Sequence, residues 1–353
     1  MMKLEKVRQA LTDSSLSALL VTNPHSRRYL TGFTGTAGVA LVTQSEAFFI
    51  TDFRYTEQAN AQITGYTLVE QKTTLIEAVA QVVKENGLDK VGFEQEAMTF
   101  AEYDRYNKAL EAELVPTTGI VEKIRLIKTE DELTIIKQAC KIADDAYEHI
   151  LTFIQPGMTE LDVSNELEFF MRKQGATSSS FDIIVASGVR SALPHGVATH
   201  KVIEQGDFIT LDFGAYYNGY VSDVTRTLAV GEPSEKLKEI YQVVLDSQLL
   251  ALEKIKPGMT GKEADAIARD YIASKGYGEA FGHSLGHGIG LEVHEGPGLS
   301  SRSDVVLEPG MLITIEPGIY LPDIGGVRIE DDALVTETGV ERLTLTSKEL
   351  VIL

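Results

Sequence analysis

Acidic residues recur in this chain on what read as the polar faces of short strands. Asp212 and Asp223 flank an Asn218-Gly219 pair within residues 207–227, where apolar and polar residues alternate. Asn-Gly between alternating runs is a strong hairpin signal, because both turn positions need positive φ. If Tyr217 pairs with Tyr220, Gly214 lies opposite Asp223, and Asp212 becomes the diagonal neighbour of Asp223, about 7–8 Å away. The hairpin alone suits a solvated face opposite Ile209, Leu211 and Phe213 better than a site. The later strands shift that balance. Met311 to Gly318 places Thr314 and Glu316 opposite Met311, Ile313 and Ile315, and Gly326 to Asp331 places Arg328 and Glu330 opposite Val327 and Ile329. Between these strands and the hairpin runs His283-Ser284-Leu285-Gly286-His287-Gly288-Ile289-Gly290-Leu291-Glu292-Val293-His294, too rich in glycine for a helical zinc motif. With His195 in Pro194-His195-Gly196, four of the seven histidines lie in glycine-flanked runs near the acidic strands. Oxygen-rich ligation with one imidazole suits Mn²⁺, Co²⁺, Fe²⁺ or Zn²⁺. Four carboxylates overcharge one ion, whereas two divalent cations about 3.5–4 Å apart would balance them and activate a water.

The elements that must position these residues follow from a repeat. Pro156-Gly157-Met158-Thr159 recurs 101 residues later as Pro257-Gly258-Met259-Thr260, and each leads to a helix ending in Lys173-Gln174-Gly175 or Ser274-Lys275-Gly276. Two copies of that length imply a duplicated half-domain packed about a pseudo-two-fold axis, with a site between the halves. Thr129-Glu130-Asp131-Glu132 forms a capping box opening a long helix with Ile135, Ile136, Ala139 and Ala143, and Cys140 reads as a small buried residue within it. Before it, Ala18–Val21, Gly38–Val42, Ala47–Ile50 and Val91–Phe93 read as strands, and Leu75, Val79, Val82 and Val83 as a helix face. The expected domains are therefore an α/β unit over 1–120 and an α+β unit over 121–353. The glycines from Gly32 to Gly38 have the wrong spacing for a dinucleotide fingerprint and read as turns, and no phosphate-loop motif occurs.

Composition narrows the class. At 353 residues the chain exceeds one ordinary core, and 43% hydrophobic with 24% charged residues excludes disorder. A net charge of −20 disfavours nucleic acid and anionic lipid as partners. One cysteine excludes an internal disulfide and a thiolate-rich metal site. The charged start and the brevity of the apolar run Ala18–Val21 lead to the expectation of a cytoplasmic protein with no membrane span.

Asp212, Asp223, His287, Glu316 and Glu330, in this order and these local sequences, resemble the ligands of the pita-bread metallopeptidases. Ser191 to Gly196, Gly286 to Glu295 and Glu316 to Tyr320 resemble the Xaa-Pro peptidase branch, aminopeptidase P and prolidase; residues 1–120 more loosely resemble its creatinase-type leading domain. The resemblance implies a pita-bread catalytic domain and a metal-dependent exopeptidase that cleaves between an N-terminal residue and a following proline in short peptides. It implies that Asp212 chelates one ion, His287 and Glu316 the other, and that Asp223 and Glu330 bridge them, with Mn²⁺ favoured over Co²⁺, Zn²⁺ or Fe²⁺. Glu316 would also shuttle a proton, His195 and His294 would hydrogen-bond the substrate carbonyl or oxyanion, and His283 would border the proline pocket. Arg328 would orient the bridging carboxylates, an ordinary sheet salt bridge being the alternative. A homodimer is implied as well.

Two other readings share the fold. Methionine aminopeptidases share the ligand set but generally lack a leading domain of about 120 residues. A catalytically inactive binding relative would have lost ligands, whereas all five positions are filled here. The motifs are common to aminopeptidase P and prolidase and do not separate dipeptides from longer substrates.

Overall fold

Apolar runs in the first third of the chain become a six-stranded mixed sheet in the order Thr67–Glu70, Ala47–Thr51, Val39–Thr43, Ala18–Val21, Lys90–Glu94, Glu113–Thr117. The three central strands Ala47–Thr51, Val39–Thr43 and Ala18–Val21 are antiparallel, and the other neighbours pair in parallel. Leu20, Leu41, Ile50 and Val91 pack on Val79, Val82 and Val83 of the helix Leu75–Glu85. The Gly32 to Gly38 run is a turn built on a buried arginine: Arg27 donates to the carbonyls of Gly38 at 2.7 Å and Gly35 at 3.0 Å, and Gly32 caps a helix at φ 75°. The structure is a computed structural model that describes residues 2–353. The chain divides into two compact units after Arg125, five residues beyond the expected boundary, because the short helix Ile120–Arg125 packs on Met2–Asp13.

The second unit, Leu126–Leu353, shows the repeat directly. Thr159 and Thr260 both cap helices, Glu160–Lys173 and Gly261–Ser274, through capping boxes. Each turn before them pairs with a loop in the same way: Gly157 and Met158 bond Ile203, and Gly258 and Met259 bond Leu307. Each half has a second helix, Glu130–Phe153 or Glu235–Lys254, and its own sheet. The first-half sheet is Val224–Ala229, Phe208–Phe213, Ile184–Ser187; the second-half sheet runs Glu295–Leu299, Gly286–Gly288, Leu312–Ile315, Asp331–Val335, Val340–Arg342. In the first half Ile209, Leu211, Phe213, Val224 and Leu228 pack on Ala146, Ile150, Val163 and Leu167. In the second, Ile313, Ile315 and Ala333 pack on Ala251, Ala264 and Ala268. With those faces taken by helices, the opposite faces are left for the polar residues. Among the described residues no helix is long and apolar enough to cross a membrane.

Candidate active site

The hairpin register is the one Asn218-Gly219 demands: Tyr217 pairs with Tyr220, and further along Phe213 with Val224 and Asp212 with Thr225. Asp212 and Asp223 thus project from one face as diagonal neighbours. The face is not solvated: Asp212 is 8% and Asp223 4% exposed. Gly214 lets the two strands close between them, since a Cβ there would lie 1.7 Å from the Ser222 carbonyl oxygen. His287 sits between two glycines for the same reason, with Gly286 and Gly288 pressed against the Thr314 and Gly296 carbonyls. Glu316 follows the strand Leu312–Ile315, and Glu330 lies between Gly325–Arg328 and Asp331–Val335, hydrogen-bonded through its amide to Thr225 O at 3.0 Å.

These side chains converge on one cavity of about 500 Å³, whose lining includes Asp212, Asp223, His287, Glu316 and Glu330 together with His195, His283, His294 and Arg328. His287 Nε2 is 3.3 Å from Glu316 Oε1 and 3.8 Å from Asp223 Oδ2. Ligand atoms of Asp223, His287 and Glu330 all lie within 4.8 Å of one another. His287 Nδ1 faces the Gly288 carbonyl at 3.1 Å, and a carbonyl can only accept, so Nδ1 carries a proton while Nε2 points at the acids; burial opposes charge on the ring, but Glu316 beside Nε2 raises the imidazole and holds a proton there in the ion-free protein. Asp212 Oδ1, Asp223 Oδ1 and Glu330 Oε1 are buried without any hydrogen-bond partner. Burial, then repulsion from Glu330 and Asp212, pushes Asp223 well above the usual carboxylate range. Glu330 is raised likewise by burial and by Glu316 and Asp212. Asp212 is raised by burial with Arg328 opposing, while Glu316, despite burial, is held low by its hydrogen bond to His287. Unpartnered buried oxygens that repel one another beside an imidazole nitrogen fit divalent cations, which would displace the protons held there.

A polar girdle orients this cluster. Arg328 donates to Asp212 Oδ2 at 2.5 Å, Tyr320 Oη at 2.7 Å and Thr225 Oγ1 at 3.1 Å, and Thr225 in turn donates to Glu330 Oε2 at 2.5 Å. Arg328 thus bonds Asp212 directly and reaches Glu330, one of the two carboxylates expected to bridge, only through the Thr225 hydroxyl. His283 Nδ1 faces Ser284 O at 2.8 Å, which leaves Nε2 to accept from Tyr320 Oη at 2.9 Å. Burial lowers the His283 and His294 imidazoles, and neighbouring His287 lowers His294 further. The sequence puts Thr314 on the polar face beside Glu316 but assigns no role to it, to Thr225 or to Tyr320. The signal existed for the threonines, because Thr225 is two residues from Asp223 and Thr314 two from Glu316 on the same strand faces. Asp332 had none: it is a fully buried carboxyl, pushed up to about 7 by burial, that accepts from the Asp223 amide at 2.9 Å and the Cys140 thiol at 3.4 Å.

Residues 134–337 match the family described as metallopeptidase family M24, and residues 3–127 match the creatinase/prolidase N-terminal domain. The chain belongs to metallopeptidase family M24. The M24 fold is shared over the full length with an Xaa-Pro dipeptidase from Bacillus anthracis, at 63% identity and a TM-score of 0.99, covering 100% of this chain and 99% of that one. An Xaa-Pro dipeptidase from Pyrococcus horikoshii is 42% identical, covering 99% of this chain and 98% of its own. An X-Pro aminopeptidase from Thermotoga maritima is 41% identical with a TM-score of 0.91, covering 96% of this chain and 98% of that one. Like its family, this M24 chain is a hydrolase that works with divalent metal ions.

Proposed function

We propose that the chain is a metal-dependent exopeptidase hydrolysing the bond between an N-terminal residue and a following proline, with Xaa-Pro dipeptides as substrates. The observation that carries this reading is the set of unpartnered buried carboxylate oxygens around His287, in a cavity that three further histidines also line. Asp212 would hold one ion, His287 and Glu316 the other, and Asp223 and Glu330 both, with Mn²⁺ favoured and Co²⁺, Zn²⁺ or Fe²⁺ as alternatives. When bound, the ions supply Lewis-acid polarisation and make water a nucleophile at neutral pH. Glu316 Oε1 is engaged by Thr314 at 3.1 Å and faces His287, so Oε2 takes the proton from the attacking water and returns it to the leaving proline nitrogen. His294, an imidazole lowered by burial, donates a hydrogen bond to the developing oxyanion, and His195 holds the substrate carbonyl. His283, Phe181, Ile184, Val197 and Val293 supply walls on which a proline ring can pack.

Support for proline and for dipeptides comes from relatives so named. A second reading, peptides extended beyond proline, is favoured by one feature. Arg328 is the one arginine or lysine among the described residues lining the cavity, and it already pairs with Asp212, which leaves no obvious cation for a free prolyl carboxylate. The deciding assay compares Ala-Pro, Ala-Pro-Ala and Ala-Ala on Mn²⁺-loaded protein. Rapid hydrolysis of Ala-Pro alone supports the dipeptidase, comparable rates on Ala-Pro and Ala-Pro-Ala support the extended reading, and a preference for Ala-Ala contradicts both. The chain is further proposed to act as a homodimer, which a monomeric mass by light scattering would contradict.

A further inference from the structure

His195 lies in a loop with little regular strand pairing of its own. Between Ser187 and Thr199 the backbone makes a short 3₁₀ turn, Gly188–Ala192, and one isolated bridge from Val197 to Ile184; Val189, Leu193 and Val197 are exposed, while Ser191 is buried and its Oγ accepts from Gly326 N at 2.8 Å. Both ends of this loop are nevertheless fastened to the same carboxylate. Glu160, the first residue of the helix Glu160–Lys173, is fully buried. Its Oε1 accepts from Ser187 N at 2.8 Å and Ser187 Oγ at 2.9 Å; its Oε2 accepts from Thr199 N at 3.1 Å, Thr199 Oγ1 at 2.7 Å and the Arg190 guanidinium. Arg190 closes the loop on itself by donating to Val197 O at 3.0 Å.

The second half does the same with other residues. Asp265, 1% exposed on the helix Gly261–Ser274, is bound by Arg269 through two bonds of 2.6 and 2.8 Å and accepts from Leu285 N at 2.9 Å. Arg269 then donates to the carbonyls of Phe281 at 3.0 Å and His283 at 2.7 Å. The repeat offset would put the counterpart of Glu160 at Gly261, where a Cβ would lie 2.1 Å from the Gly298 oxygen. A side chain cannot stand there, and the acid sits one helical turn further on instead.

We propose that Glu160 and Asp265 are positioning residues: each half of the duplicated unit uses one buried, helix-borne carboxylate to fix the loop that presents a substrate-facing histidine, His195 in the first half and His283 in the second. Neither acid lines the cavity. Each acts by holding backbone, so that an irregular loop keeps its imidazole in register with the cluster, where misplacement of about 1 Å can cost roughly 100-fold in rate. The inference rests on the substrate-facing role given to these histidines above.

The test uses Glu160→Gln and Asp265→Asn in the full chain, each keeping one acceptor oxygen, and reads amide exchange, Mn²⁺ uptake and Ala-Pro turnover. Glu160→Gln is expected to speed exchange at least about tenfold over 188–199 and lower kcat roughly 10- to 100-fold, with Mn²⁺ uptake and exchange at 281–285 unchanged. Asp265→Asn is expected to do the reverse, loosening 281–285 alone. Glu160→Gln on a His195→Ala background should cost no further turnover. Should Glu160→Gln fail to fold, Thr199→Val removes one bond of the clamp and should give a smaller change of the same sign confined to the loop. Unchanged exchange in 188–199, or faster exchange spread through Phe208–Phe213 and Val224–Ala229, overturns the proposal. If His195→Ala alone leaves kcat intact, the role of His195 fails separately, and the clamp is judged on exchange.

Discussion

Asp223 and His294 line the same cavity and are expected to fail differently. Asp223 carries an unpartnered buried oxygen beside His287 and Glu330, so it belongs to the ion-holding cluster. Asp223→Asn and Glu330→Gln should lose bound metal and activity together, because a neutral amide balances no cationic charge. His294 lies with its ring 4.4 Å from that of His287 but outside the cluster of ligand atoms. His294→Ala should keep its metal while kcat falls roughly 10²–10³-fold, the scale seen when one oxyanion donor is removed. Metal analysis alongside turnover checks both, and loss of metal from His294→Ala would show that ligands and donors have been confused.

At the scale of elements, the hairpin and the repeat were legible because their signals are local. Asn218-Gly219 sets a register, and the register alone puts Asp212 and Asp223 on one face. What periodicity could not reveal is that this face is covered: alternation looks the same whether the polar side meets water or another half-domain. The buried charged side chains away from the site were invisible for the same reason. Arg226 projects opposite Thr225 and is fully buried, where it bonds Asp331 at 2.7 Å and the carbonyls of Thr346 at 3.1 Å and Ser347 at 3.0 Å. Lys348 adds a 2.6 Å bond to Asp331, so the last segment of the chain is tied to the strand that begins beside Glu330. Only the tertiary fold brings those distant positions together. Arg226→Met should lower unfolding free energy by about 3–5 kcal/mol in urea titration, since it strips one partner from a buried carboxylate. A change under about 1 kcal/mol would mean that Lys348, Gln248 and Thr344 satisfy Asp331 without it.

For the molecule as a whole, the acidic cluster links ion binding to protons. Asp223 and Glu330 sit well above the usual carboxylate range without ions, so they retain protons at pH values where an unfolded chain, with carboxyl pKa values near about 4, has lost them. In the ion-free state these two groups therefore reduce stability as pH rises from about 4 toward their raised values, and bound cations reverse that loss. Mn²⁺ binding should release protons and tighten as pH rises, which calorimetry in buffers of different ionisation enthalpy would record; proton uptake would contradict the assignment. The central claim, hydrolysis of Xaa-Pro by a two-ion centre in this cluster, is tested most directly by titrating chelator-stripped protein with Mn²⁺ while following bound ion and Ala-Pro turnover together. The expected result is no turnover at zero ion and full activity as occupancy approaches two per chain, whereas undiminished turnover in the stripped protein would falsify the account.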